Sequence, residues 1–312
     1  MPARLLSGTD LAATLRAELA DEIAAFTRRA GRPPGLGIVL AGDDPASEIY
    51  VRNKIRTATE AGLRVDLERV PATGSLADVL QVVDRLNRSD AHDGILVQSP
   101  LPAAMGKHAE QQVFDAVDPA KDVDGFNPIN VGRLAQNRTT LAPCTPLGVI
   151  AILERNHLPI AGQHAVIIGR SDIVGKPMAL LLLQRHATVT ICHSQTRDLA
   201  RYTTEGDILV AATGRAGLVT PAHVKPGATV IDVGINRLTD RADVEKLYAP
   251  GTKRWEDFQK RGSLVVGDVH PGVVDVAGAL TPVPGGIGPL TIAMLMGNVL
   301  RAAQNRAEAR GR

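Results

Sequence analysis

Short unbroken apolar runs recur along the chain, most of them followed by a longer stretch in which apolar and polar positions mix at helical spacing. The runs at 36–40, 94–98, 165–168, 208–212, 229–233 and 264–266 carry too few polar residues for half-exposed strands. Continuous apolar strands of this kind suit a parallel sheet covered on both faces. Segment 64–70 alternates as a strand does, and 188–192 adds another.

Between these runs lie the helices. Asp44 followed by Pro45 marks a helix start, the carboxylate as N-cap and the proline at the first helical position, with Gly62 as its stop. Helices are also expected at 76–89 and 175–186, and a last one at 290–308 that packs back on the first domain. Residues 1–20 read as a strand-like start and then an amphipathic helix capped by Asp10. Polar residues and prolines cluster at 138–146, where a domain boundary is expected, and 281–289 is a Pro/Gly loop. Segment 239–262, polar and charged around Trp255, reads as a surface insertion. No tandem repeat is present. The expected fold is α/β with two domains. An N-terminal α/β domain covers 1–140 and is completed by a C-terminal helix at 287–312. A Rossmann-like parallel-sheet domain covers 141–286, with a cleft between the two.

Composition narrows the classes. At 312 residues the chain has length for two ordinary domains, and its 44% hydrophobic and 22% charged residues suit packed cores. Aromatic residues are only 3%, so Leu, Val, Ile and Ala must fill those cores. A net charge of +2, with acids and bases interspersed, argues against a nucleic-acid partner, which needs clustered cations. Apolar runs such as 178–183 fall far short of the ~20 residues of a membrane span. No secretory signal is visible. Cys144 and Cys192 are too few and too far apart for a disulfide framework or a metal cluster, and free thiols point to the cytoplasm. No metal is expected.

The stretch Ala165-Val-Ile-Ile-Gly169-Arg170-Ser171, continuing to Gly175-Lys176-Pro177, reads as strand, glycine turn and helix start. Glycine lets a backbone approach a pyrophosphate, and a helix N-terminus presents unpaired N–H groups. The spacing departs from G-x-G-x-x-G, and a plain tight strand–helix connection would use the same glycines. The strand 188–192 ends in His193-Ser194-Gln195-Thr196, with no acid to hold a ribose 2′-hydroxyl. A hydroxyl and an imidazole, with Arg170 across the turn, suit a 2′-phosphate and therefore NADP. In the simpler alternative, Ser194 and Thr196 only cap the next helix.

Tyr50 and Lys54 lie four residues apart on the expected helix and share a face. Gln98 ends a strand before two prolines, where α/β sheets place ligands. Lys121-Asp122-Val123-Asp124-Gly125 forms an acidic turn. The lysine and the acidic turn have ordinary alternatives: a solvated side chain and a helix cap.

Five blocks taken together resemble the bifunctional methylenetetrahydrofolate dehydrogenase/cyclohydrolase family: 50–54, 93–102, 121–125, 169–177 and 281–289, in the same order and across nearly the whole chain. The resemblance implies a catalytic Lys54 with Tyr50 beside it and Gln98 as its partner. It implies that Asp124 bonds the pterin ring and that Val97, Ser99, Pro284, Gly285, Gly286, Ile287 and Gly288 border the folate. It implies NADP contacts at Gly169, Arg170, Ser171, Ser194 and the backbone of Ile235, and a homodimer formed through the cofactor domain. The activity so implied is NADP-dependent oxidation of 5,10-methylenetetrahydrofolate, then hydrolysis of the methenyl product to 10-formyltetrahydrofolate. A dehydrogenase lacking the second step, and a non-catalytic dinucleotide-binding regulator, are the competing expectations. The chain departs from the family pattern at Ser99, where an apolar residue is usual, at Asn127, where His is common, and in the length of 239–262.

Overall fold

Every residue of the strand Gly35–Ala41 is buried, because apolar side chains occupy both of its faces. It pairs in parallel with Arg64–Val70 on one side and Gly94–Val97 on the other. The same rule builds a six-stranded sheet in the order Arg4–Leu5, Ala279–Leu280, Thr229–Asp232, Ile208–Ala211, His164–Ile168, Thr188–Cys192, with every pair parallel. The computed structural model describes residues 2–138 and 141–310.

The chain divides into two units, one formed by Ala12–Cys144 with Thr291–Arg312 and the other by Met1–Leu11 with Thr145–Leu290. The division differs from the sequence expectation at the N-terminus. Residues before Ala12 join the second unit because Arg4–Leu5 pairs with Ala279–Leu280. The expected domain limits at 1, 140 and 312, and part of the boundary at 138–146, lie outside the described residues.

In the first unit, the helices Gly8–Ala30, Pro45–Glu60 and Ile287–Arg310 contribute to one core, in which Phe26, Ile38, Leu96, Met296 and Val299 are almost wholly buried. The last helix is also tied by charge. Asp93 is fully buried and accepts two bonds from Arg32, at 2.6 and 2.8 Å, and one from Arg306 at 3.3 Å. A buried carboxylate is tolerable only when paired in this way. The second unit has its own core around Val166, Leu209, Val230 and Val273.

Local chemistry explains where several elements start. Asp44 accepts from Ser47 N at 2.8 Å and caps Pro45–Glu60, as the sequence predicts. Asp10 is not a cap. Ser7 Oγ accepts from Asp10 N at 3.2 Å, so the helix begins one turn earlier, at Gly8. The helix Cys144–Arg155 has no counterpart among the sequence expectations. Pro146 sits in its first turn, where a missing N–H removes no helical bond. Segment 239–262 is more than a surface excursion. Its helices Arg241–Glu245 and Lys253–Arg261 pack on the antiparallel pair Asn236–Leu238 and Leu264–Val266, and they enclose Trp255, only 4% exposed, with Val244.

Candidate active site and dinucleotide pocket

In the first unit, the helix Pro45–Glu60 carries Tyr50, exposed, and Lys54, half-buried, one turn apart. Gln98 leaves the strand Gly94–Val97 with its N–H still bonded to Val39 O at 2.9 Å, so the backbone beneath its side chain is fixed. Lys54 Nζ donates to Gln98 Oε1 at 3.0 Å, and Gln98 Nε2 donates to Ser99 O at 2.6 Å. Both amide ends are therefore assigned. Reversing the group would set donor against donor and oxygen against oxygen. Ser99 Oγ and Leu101 N both donate to Glu110 Oε1, the second at 3.2 Å. Val97, expected along the substrate, instead places its side chain in the core among Val39, Ala41 and Val113. Residues of a buried parallel strand point into one covered face or the other.

Asp124 sits on a turn that its neighbours hold. Asp122 accepts from the N–H groups of Gly125, Phe126 and Asn127 and from Asn130 Nδ2, at 2.8–3.2 Å. Gly125 adopts φ +72°, and a β-carbon there would fall 2.6 Å from Ala142 C, so only glycine fits. Asn298, on the last helix, donates to Val123 O at 2.8 Å and Ala142 O at 2.9 Å. Lys121 faces away from this chemistry. Its ammonium donates to the carbonyls of Leu86, Asn87 and Ser89, and burial together with Arg306 lowers it to about 8. Asn127, in place of a histidine, caps Pro128–Ala135 through Ile129 N and donates to Val117 O at 2.9 Å. Surrounding protein pushes the Asp124 carboxyl up to about 6; the charge of Lys54 works against that rise and Asp122 adds to it. Lys54, Gln98 and Asp124 thus form one electrostatic group: a cation, a neutral amide and an acid that ionises just below neutrality.

In the second unit, His164–Ile168 runs into Gly169 (φ +131°), where a β-carbon would lie 2.2 Å from Ala212 O. A β-carbon on Gly175 would lie 2.3 Å from Gly169 O. The two glycines let the turn fold back on itself before the helix Gly175–Leu183, and Ser171 Oγ accepts from Val174 N and Gly175 N at 3.2 and 3.3 Å. A cavity of about 430 Å³ opens over this turn, bordered by Gly169, Arg170, Ser171, His193, Ser194 and Arg215. That volume suits part of a dinucleotide. Two guanidiniums and no carboxylate line it, which fits a ligand with several phosphates. Ser194 does not cap the next helix. Thr196 Oγ accepts from His193 N, and Leu199–Thr203 starts at Asp198 with no side-chain cap.

The structure adds residues that no local motif marks. Arg215 joins the cavity because Asp268, fully buried, accepts from the N–H groups of Thr213, Gly214 and Arg215, and also from Asn236 Nδ2 at 2.9 Å. Asp232 in turn accepts from Gly234, Asp268 and Val269 N–H groups at 2.9 Å, and burial pushes its carboxyl up to about 7. These two aspartates fix the loops on either side of Ile235, which is 53% exposed. A β-carbon at Gly288 would lie 4.0 Å from Ile235, so the structure brings these two predicted residues together. In the loop before it, Pro284 and Gly288 are exposed, whereas Gly286 and Ile287 are buried. Gly285 O accepts from Thr9 N at 3.0 Å, and Gly8 leaves no room for a side chain against Gly286 O. The loop is therefore seated on the first turn of the N-terminal helix.

Residues 6–124 match the catalytic domain of the tetrahydrofolate dehydrogenase/cyclohydrolase family, and residues 143–307 match its NAD(P)-binding domain. The chain is 53% identical over 306 residues to the bifunctional protein FolD of Koribacter versatilis, covering 98% of each. It is 49% identical over 310 residues to that of Paraburkholderia phytofirmans, covering 99% of each. A crystal structure of the Trypanosoma brucei methylenetetrahydrofolate dehydrogenase-cyclohydrolase, in complex with NADP and an inhibitor, is similar with a TM-score of 0.87. The two are 35% identical, over 98% of this chain and 99% of that one. A polar group of Lys54, Gln98 and Asp124 in one unit and a cation-lined dinucleotide cavity in the other accompany this match over nearly the whole length. The chain belongs to the tetrahydrofolate dehydrogenase/cyclohydrolase family.

Proposed function

We propose that the protein oxidises 5,10-methylenetetrahydrofolate to the 5,10-methenyl form with NADP and then hydrolyses it to 10-formyltetrahydrofolate. The observation that carries the hydrolytic step is the 3.0 Å bond from Lys54 to a neutral amide. An acid in Gln98's place would hold the lysine's proton, whereas an amide orients the amine and leaves it able to exchange protons. Bound NADP would supply the hydride acceptor for the carbon bridging two folate nitrogens. The turn Gly169–Arg170–Ser171, which borders the cavity, would lie against its phosphates. Arg170, Ser194 and Arg215 would hold its 2′-phosphate.

The resulting methenyl carbon is cationic and takes up water. Lys54 accepts a proton from that water and returns one to the folate nitrogen released when the ring opens. A cation beside an ammonium favours loss of the ammonium's proton, so the intermediate itself promotes the exchange. Tyr50 stands on the same helix face as Lys54, to pack against or bond the folate near that carbon. Asp124 accepts from the amino and ring N–H donors of the pterin, a planar two-point match. Half-buried Ser99, next to Gln98, would border the folate in the same unit.

Asp124 makes folate binding pH-dependent. Its carboxyl lies at about 6, so it accepts hydrogen bonds above that pH and turns into a donor as the pH falls through it. The folate KM is expected to rise about tenfold per pH unit below 6. Asp124→Asn should flatten that profile between pH 5 and pH 7 and raise KM throughout; a profile left unchanged would remove Asp124 from the pterin site.

A homodimer is supported by the edge strand Thr188–Cys192, where Ile191 is 39% exposed, and by Leu183, 59% exposed at the end of the helix before it. Two buried free thiols suit a reducing cytoplasm. Among the described residues, no helix is long and apolar enough to cross a membrane. The activities are tested by mixing the protein with methylenetetrahydrofolate and NADP, following NADPH and methenyl absorbance together, and repeating with NAD. NADPH forming while methenyl stays low and the 10-formyl product accumulates is the expected result. Methenyl disappearing only at its spontaneous rate would leave a dehydrogenase alone.

A further inference from the structure

We propose that Glu110 is a positioning residue for the hydrolytic step, acting through Ser99 on Gln98 and so on Lys54; the inference rests on the function proposed above for that pair. Glu110 lies in the first turn of Ala109–Ala116, outside all five sequence blocks that carry the family resemblance. One of its oxygens takes two donors from opposite sides of Pro100: the Ser99 hydroxyl and the N–H of Leu101, the latter at 3.2 Å. The turn 99–101 is thereby pinned from outside.

The turn matters because its carbonyl aims the catalytic amide. Ser99 O accepts from Gln98 Nε2 at 2.6 Å, which commits Gln98 Oε1 to Lys54 at 3.0 Å. A rotated Ser99 carbonyl would release the amide, and with it the direction of the amine. Where an apolar residue stands at position 99, as is usual in the family, this hydroxyl link is missing. The Ser99–Glu110 bond is thus this chain's own means of fixing the turn. Both donors converge on a single oxygen, so a neutral amide at position 110 can serve them equally well. The requirement is for an acceptor at that point, not for a charge.

Hydrolysis of methenyltetrahydrofolate, which needs no NADP, tests this directly. Glu110→Leu is expected to lower the hydrolytic kcat about tenfold or more, with KM within about threefold, as misaimed catalytic groups do. Glu110→Gln should recover kcat to within about threefold of the wild type. Ser99→Ala removes only one of the two donors and should lower kcat by an intermediate factor. Thermal midpoint and NADP affinity report whether each variant is folded. Glu110→Leu turning over like the wild type, or Glu110→Gln failing as badly as Glu110→Leu, would overturn the inference and leave the proposed function standing. Should Glu110→Leu not fold, Ser99→Ala decides, and an unchanged kcat overturns the inference. A wild-type protein with no hydrolysis would overturn the function itself.

Discussion

Lys54→Met is expected to lower methenyl hydrolysis by about a thousandfold while leaving NADP reduction within about tenfold of the wild type. Methionine has a similar length and fills the same half-buried space, so the loss isolates the amine. Removing a positioned acid–base group costs about 10²–10⁴ in rate, and a thousandfold corresponds to about 4 kcal/mol of transition-state stabilisation. Hydride transfer needs no protein proton acceptor and should survive. Methenyl absorbance would then accumulate in step with NADPH. Lys54→Arg separates two roles that methionine cannot. Arginine keeps the positive charge and the reach toward Gln98 but cannot give up its proton near neutrality. It should be as inactive as methionine. Full hydrolysis by the methionine variant would remove Lys54 from the mechanism, and full hydrolysis by the arginine variant would make its role purely electrostatic.

Gly169→Ala should separate the activities in the opposite sense. Its β-carbon would fall 2.2 Å from Ala212 O, at a φ of +131° that L-residues rarely adopt. The turn must shift, and the cavity wall made by Gly169, Arg170 and Ser171 shifts with it. NADP affinity is expected to fall at least about a hundredfold, equivalent to about 2.8 kcal/mol. Hydrolysis of supplied methenyltetrahydrofolate should persist, because Lys54, Gln98 and Asp124 all belong to the other unit. Calorimetric titration with NADP measures the first effect, and methenyl absorbance measures the second. Undiminished NADP binding would mean that this turn does not approach the cofactor.

The parallel sheets were readable from the sequence because a covered strand must be apolar on both faces. Arg64–Val70 and Thr188–Cys192 were legible to the residue. Leu264–Val266 has the expected bounds but pairs antiparallel with Asn236–Leu238, outside both parallel sheets. The helix Cys144–Arg155 was not, since its apolar residues leave little amphipathic contrast and its proline resembles a break. In segment 239–262 the charged residues obscured a helical spacing, Val244, Leu247 and Tyr248, that packs around the buried Trp255. Most of the proposed catalytic and cofactor residues lie in contiguous motifs, so they could be named; Arg215 lies in none and was missed. Their supports could not. Asp268 reaches Thr213, Gly214 and Arg215 from more than fifty residues away, and Asn298 reaches Val123 across 175. Such partners share neither a period nor a motif. Only the folded chain brings them together.

The assignment of Met1–Leu11 and Thr291–Arg312 to opposite units has a consequence for biosynthesis. On the ribosome, Arg4–Leu5 emerges more than 270 residues before Ala279–Leu280, the strand it pairs with among the described residues. The core around Phe26 and Ile38 likewise lacks Met296, Val299 and Leu300 until the final helix is released. Neither unit can close before its late segment, Ala279–Leu280 in one and 296–300 in the other, has been made, so both remain nascent together rather than folding in succession as contiguous domains do. A ribosome stalled before Met296 would hold a chain with an open core, exposed to chaperones and proteases.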